Sequence, residues 1–453
     1  MGYANFIGRI GALAIALGVG AALAATPWAA SAKPSDADSS ADPSTPKTPP
    51  GQNMSVSTNG VVRVQKGDAV AQSEGQGSVA IARGDGSSAY ALGGDHNKAM
   101  VHGDGSVAIA GADPNDPTVG GSGNRAVVHG DNSFAGAALG DGNTATVDGD
   151  GTHATAAFGD GNTAIVHGGG TADALQGNDN TAVVYGSGGA FAADGDGNTA
   201  TVHGDSFATA QGGNGNTASV TGDNSSVSAG GGNDNTATVT GDNSFAGAII
   251  GSNNTATVAG DDSTASTTFG DDNTVEVAGD GSRATADFGS DNTVTVDGDG
   301  SQATATRSSD GTATVTGDGS NADVSDGDTN AAIVSGDGSQ ASATGVYGLG
   351  GSNNTATVTG DGSVGTAFGG DDNTATITGD DSTATANGPR NNTATVTGDA
   401  SDATAIGTDN NAEVNGDNSN AIAGPGGSNT AVVNGDGRTA DTGPGFANTV
   451  IVP

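Results

Sequence analysis

Residues 235–253 read NTATVTGDNSFAGAIIGSN and residues 254–272 read NTATVAGDDSTASTTFGDD, two copies of one 19-residue unit. Aligned on N-T-A-x-V-x-G-D-x-S-x-A-x-A-x-x-G-D-x, the unit recurs from Asn124 to Asn448 in 18 copies, with Gly311 once replacing the leading Asn. Four steps shorten to 18 residues, and one step of 24 coincides with an insertion near Val346 to Leu349. Within a copy the first half alternates strictly: Ala145 and Val147 face one way, Thr144 and Thr146 the other, the signature of a half-buried strand. The second half alternates too, so Ser263, Ala265, Thr267 and Phe269 are expected to share a face. Between the halves, Gly follows at all 17 turns after a core Val or Ile, and Asp follows that Gly at 15 of them. Gly is expected there to supply a positive φ.

Two five-residue strands bury almost nothing by themselves, so the copies must stack. If each copy is one coil, equivalent residues lie about 4.8 Å apart, and 18 coils extend about 85 Å. The expected fold is all-β: a single elongated parallel β-solenoid of about 18 regular coils with two short strands per coil. A column from Val128 through Val147 to Val452, with Ile377 once, forms its core. Phe158, Phe269, Phe288 and Phe368 are expected at matching second-half positions within a narrow core of Ala, Val and occasional Phe. The Asn column predicts a buried ladder along the axis, because an unpaired buried amide costs about 1 to 3 kcal/mol.

Residues 57–123 read as irregular starting coils, with Val64, Ile81 and Val101 in surroundings like the core column and Pro114 and Pro117 marking a loop. Residues 33–56 are rich in Ser, Pro and Asp, the composition of a disordered linker. Residues 1–32 have the form of a secretory signal peptide: Arg9, an apolar run from Gly11 to Ala25, then Ala30-Ser31-Ala32. The regular repeat domain is 124–453, and no segment of the mature chain reads as a membrane span.

The chain has 453 residues, of which 82 are Gly, 15 aromatic and none Cys. That composition cannot build several thick cores, and an exported chain without Cys holds together without disulfides. Twelve cationic residues against 51 acidic ones give a net charge of −39, which argues against nucleic acid or anionic lipid as partner. All but Glu74, Glu276 and Glu413 of the acids are Asp, a turn former.

Stacking would bring the turn aspartates about 4.8 Å apart, repelling by about 0.9 kcal/mol per neighbouring pair even in water. Two arrangements relieve this: calcium held by carboxylates and turn carbonyls, or an exposed, screened acidic edge. The candidate calcium ligands are Asp131, Asp150, Asp223, Asp242, Asp261, Asp280, Asp299, Asp318 and Asp337. The half-repeat G-D-G-N-T-A-T-V-x resembles the nine-residue units of calcium-binding solenoid proteins, although Ala145 stands where that family has its ligand Asp. This resemblance is one of architecture. The Thr144/Thr146, Thr236/Thr238 and Thr255/Thr257 pairs are similar to the T-x-T arrays of solenoid antifreeze proteins, which implies a water-ordering face. Exposed strands favour Thr in any case, and Ile165, Val183 and Glu276 interrupt the column.

An enzyme is not expected. Only Arg283, Arg307, Arg390 and Arg438 follow Arg125 as cations, and the single Trp28 falls within the signal. No nucleophile elbow, phosphate loop or zinc-protease motif is present. His102, His129, His167 and His203 share one phase, with Asp148 and Tyr185 between the later ones, so they read as solvated strand residues and not as a metal cluster. The leader, MGYANFIGRIGALAIALGVGAALA, resembles those of exported glycine-rich repeat proteins of mycobacteria, which implies secretion or residence in the cell envelope. The repeat region looks like the heads of bacterial solenoid adhesins. The sequence thus points to a non-enzymatic secreted or surface rod contacting an extracellular or envelope surface through Thr/Ser faces. Ice or surface-water binding is the first alternative, and a polysaccharide-acting β-helix enzyme the second. A trimeric stack is compatible with the pattern.

Overall fold

The computed structural model describes residues 53–346 and 351–453, so the signal and most of the linker lie outside the described residues, as do Tyr347 to Leu349 of the insertion. The described chain contains strands and turns and no helix. Each coil contributes its N-T-A-x-V strand to one parallel sheet and its second strand to another. Neighbouring coils pair in register: Thr144 lies beside Thr163, Ala145 beside Ala164 and Val147 beside Val166. A side chain recurring along the sequence is therefore its own neighbour in space, and the fold is a β-solenoid.

The inward alternation fills the space between the sheets with small residues. Ala126 and Val128 from one sheet and Ala135 and Ala137 from the other are completely buried, and the same four phases repeat along the stack. Ile377 and Leu92 are the bulkiest of the fully buried side chains. The core is thinner than expected, because the phenylalanines are not in it. Phe158, Phe269, Phe288 and Phe368 are 41, 46, 53 and 41% exposed. The strict alternation ends at Thr267, which is buried; the next corner then turns the chain so that Phe269 points outward with φ 57°. Phe368 belongs to a different column, paired with Thr344, one phase earlier than Phe288.

The Gly of the Gly-Asp turn supplies the expected positive φ at many corners, as at Gly130 (145°), Gly222 (138°) and Gly379 (150°), and it also permits close approach of the coils. A Cβ on Gly279, whose φ is not positive, would lie 2.2 Å from the Gly298 carbonyl oxygen of the next coil, and one on Gly130 would lie 2.0 Å from that of Gly149. The left-handed residue of this turn comes two positions later, as Asn132, Asn224, Asn243 or Asp262. Coils shortened to 18 residues at this turn, such as Gly204-Asp205-Ser206, lack that residue.

The start of the stack differs from expectation. Strand β1 (Met54–Thr58) begins inside the span read as linker and runs antiparallel to Val79–Arg83. Strand β2 (Val61–Lys66) folds back antiparallel on β1, so Val64 belongs to an end hairpin and not to a coil. The second sheet opens with β3 (Val70–Ser73), beside Ser88–Ala91. Ala82, not Ile81, occupies the phase of Val101; Ile81 pairs with Met100 on the outer face. A hairpin whose pairing runs against the sheet blunts that end of the stack.

Candidate functional site

Two buried polar columns tie each coil to the next. In the Asn column, the Asn124 Oδ1 accepts the Asn143 backbone N–H at 2.8 Å, and the Asn143 amide nitrogen donates to the Gly159 carbonyl at 2.8 Å. The ladder thus runs chiefly through backbone groups; direct amide-to-amide bonds occur at only a few steps, such as Asn273 to Asn254. It begins upstream of the regular array at Asn97, whose Oδ1 accepts from the Asn124 N–H across the Pro114/Pro117 loop. The second column is a Ser ladder that the sequence reading did not assign. The Ser263 hydroxyl accepts the Ser282 N–H at 3.0 Å and donates to the Gly279 carbonyl at 2.7 Å. The alternation places Ser263 on the face of Ala265, but it does not show that the hydroxyl bridges two coils, which is why the ladder was not assigned.

At the coil that lacks its Asn, Ser308 has turned into the space. A Cβ on Gly311 would lie 2.5 Å from the Ser308 Oγ and 2.7 Å from the Asn292 Oδ1. Ser308 is 1% exposed and its hydroxyl has no hydrogen-bond partner.

All nine aspartates singled out in the sequence are exposed and in register along one edge. Each accepts, through Oδ1, the backbone N–H of its counterpart in the preceding coil. For Asp131 and Asp150 the distance is 2.7 Å; for Asp223, Asp242 and Asp261 it is 2.9, 2.8 and 2.8 Å. For Asp280, Asp299, Asp318 and Asp337 it is 2.9 Å in every case. A carboxylate oxygen bonded to an amide is a strong, charge-assisted contact, and it offsets part of the repulsion for which calcium was invoked. Among the described residues no group of three or more His, Asp or Glu side chains is placed to hold a metal ion. The residues present do not make a multidentate calcium site. A second ladder of the same kind runs along the opposite corner through Asp141, Asp160, Asn178, Asp196 and Asn214.

His102, His129, His167 and His203 occupy one exposed column. His102 and His129 lie in adjacent coils with ring centroids 6.3 Å apart, and Tyr185 is stacked between His167 and His203 at 5.3 and 4.7 Å. His167 Nδ1 approaches Asp148 at 3.6 Å.

On the outer face of the second sheet, the His153 ring stacks on Phe134 at 4.8 Å, and its Nε2 hydrogen-bonds the Thr155 hydroxyl at 2.7 Å. The neighbouring Asp173 is 8% exposed, and its Oδ1, 3.7 Å from His153 Nε2, is the carboxyl oxygen that has no hydrogen-bond partner. Burial pushes the Asp173 carboxyl up to about 6, against a smaller downward pull from a Thr155 hydrogen bond. Burial also lowers His153.

The outer face of the first sheet carries the threonines. Its first outward column is Thr in ten successive coils, from Thr144 to Thr312, each half-exposed or exposed. Ala331 interrupts it before Thr355, Thr374 and Thr393 resume. The coils at 236, 312, 355, 374 and 393 carry Thr at all three alternate positions, as in Thr374, Thr376 and Thr378. No protein-family model matches the chain, and no curated protein matches it.

Proposed function

We propose that the protein is a non-enzymatic, exported rod that contacts an extracellular or cell-envelope surface along its length. The observation that carries this reading is the in-register first-sheet face, where one outward column is Thr for ten coils. A face that repeats every 4.8 Å or so presents the same hydroxyl and methyl pair many times, which suits an extended or repetitive partner better than a single small ligand. The leader supports export. A test is saturable binding of labelled full-length protein to isolated cell envelope of its source, competed by unlabelled protein. Non-saturable binding at all concentrations contradicts the reading.

A second reading is binding of ice or ordered surface water, favoured by the three-threonine coils at 355, 374 and 393. Ile165, Val183, Glu276 and Ile333 break its middle column, which weakens it. Thermal hysteresis in the same preparation would establish it, and freezing at the solution's colligative point would remove it. On the rod reading, calcium has the role of a screening cation along the Asp edges, supported by the lack of any group of three or more His, Asp or Glu side chains placed to hold a metal among the described residues.

A further inference from the structure

From Leu139 to Asp326 the corner that follows each second-sheet strand holds one residue in the left-handed region, and its occupants range from Gly and Asp to Gln176, Arg307, Leu139 and Phe158, the last four with φ 54°, 51°, 57° and 62°. Gly212 and Gly231 sit there with φ 74° and 73°, and Asp194 and Asp326 with φ 56° and 53°. These are residues that tolerate the conformation. Three successive coils instead place Ile250, Phe269 and Phe288 there, with φ 60°, 57° and 54°. They follow the register partners Ile249, Thr268 and Asp287, so they form one line along the axis. They are 42, 46 and 53% exposed, and the two phenyl rings stack at 4.9 Å with 3° between their planes. These residues carry two costs at once: a backbone conformation unfavourable to branched and aromatic side chains, and apolar surface left in water. Ring stacking recovers only part of this. Neither cost is needed for the fold, because other coils close the same corner with Gly212, Gly231, Asp194 or Asp326.

The geometry points to this Ile250–Phe269–Phe288 ridge as a binding edge for a cationic segment that carries aromatic or long apolar side chains. The choice of partner comes from charge. Asp271, Asp272, Asp287 and Asp291 flank the two phenylalanines in sequence. The next residue along the line, Arg307, is engaged by Asp326 through bonds of 2.6 and 3.0 Å. A guanidinium laid on an exposed ring among carboxylates gains both cation–π and Coulombic attraction. A second copy of this chain, with its net charge of −39, or an anionic bilayer would meet like charge at the same edge. The inference rests on the interaction-rod reading and names the partner chemistry of one edge of that rod.

The test uses the full-length chain and a short fluorescent peptide of alternating arginine and tryptophan, with an arginine–serine peptide of equal charge as control, followed by anisotropy. Wild type is expected to prefer the arginine–tryptophan peptide by about tenfold. Phe269→Asn with Phe288→Asn should abolish that preference while leaving Tm unchanged or higher, because Asn accepts the left-handed corner. Equal binding of the two peptides by wild type, or a preference that survives the double substitution, overturns the proposal. A Tm lowered by several degrees would show the rings to be structural and overturn it as well. If the double variant still binds envelope saturably, the ridge fails as the envelope contact while the rod reading stands; if wild type does not bind envelope, the rod reading itself fails.

Discussion

At the scale of single residues, the fold depends on polar side chains that each bridge two coils. The gap at Gly311 offers the cleanest test. Gly311→Asn alone should destabilise, since its side chain meets Ser308. Combined with Ser308→Gly it restores both the corner and the ladder, and should stabilise the chain by about 1 to 2 kcal/mol, read as a higher urea midpoint. A double variant less stable than either single one contradicts the ladder. Asp173 tests burial through pH. Its folded value, about 6, lies above the ordinary 3.8, so the folded chain keeps a proton that the unfolded chain releases. Stability from the neutral form is whole below pH 3.8 and is lost as the pH climbs to about 6, by on the order of 3 kcal/mol. Asp173→Asn should remove that component from the pH dependence of the unfolding free energy. His153, held neutral by burial, acts in the opposite direction, losing stability as the pH falls below 6.5. A wild-type minus Asp173→Asn difference that does not change between pH 4 and 6.5 would contradict the burial assigned to this carboxyl.

At the scale of a strand, the inward positions have a size limit set by the narrow gap between the sheets. Val275 and Val294 occupy the phase of Ala256 in following coils, so Ala256→Val should cost less than about 1 kcal/mol. No residue larger than Val fills the Ala284 phase along the second sheet's core, and Ala284→Leu should cost about 1 to 3 kcal/mol. Equal urea midpoints for the two variants would show the core to be looser than this packing. The strands were legible in the sequence because their period of two is strict over five residues. Val128, Val147 and Asn143 could be placed by phase alone. The corners were not legible in this way. Whether Phe269 turns in or out depends on where the backbone leaves the sheet, one residue after the alternation ends. The Ser263 ladder was hidden because alternation gives the face of a serine and not the partners of its hydroxyl in the next coil. The Gly-Asp turn was read correctly as a corner, but the role of Gly279 is close approach to the next coil, which only the stacked neighbour reveals.

At the scale of the whole stack, each turn amide holds the carboxylate of the next coil, so the acidic edges are expected to form without a specific ion. Strand signal in circular dichroism should be unchanged by chelator, and added calcium should act no differently from equal ionic strength of magnesium; loss of strand signal on chelation would return calcium to a structural role. The central claim is that each repeat lies directly on the last. The chain has no Cys, so paired spin labels can be introduced cleanly at outward threonines. Labels at Thr144→Cys and Thr312→Cys are nine coil steps apart, and pulsed dipolar spectroscopy should return a narrow distribution centred near 43 Å, with Thr144→Cys and Thr217→Cys near 19 Å. A broad distribution, or a distance that does not grow in proportion to the number of coils, would contradict the stacked solenoid.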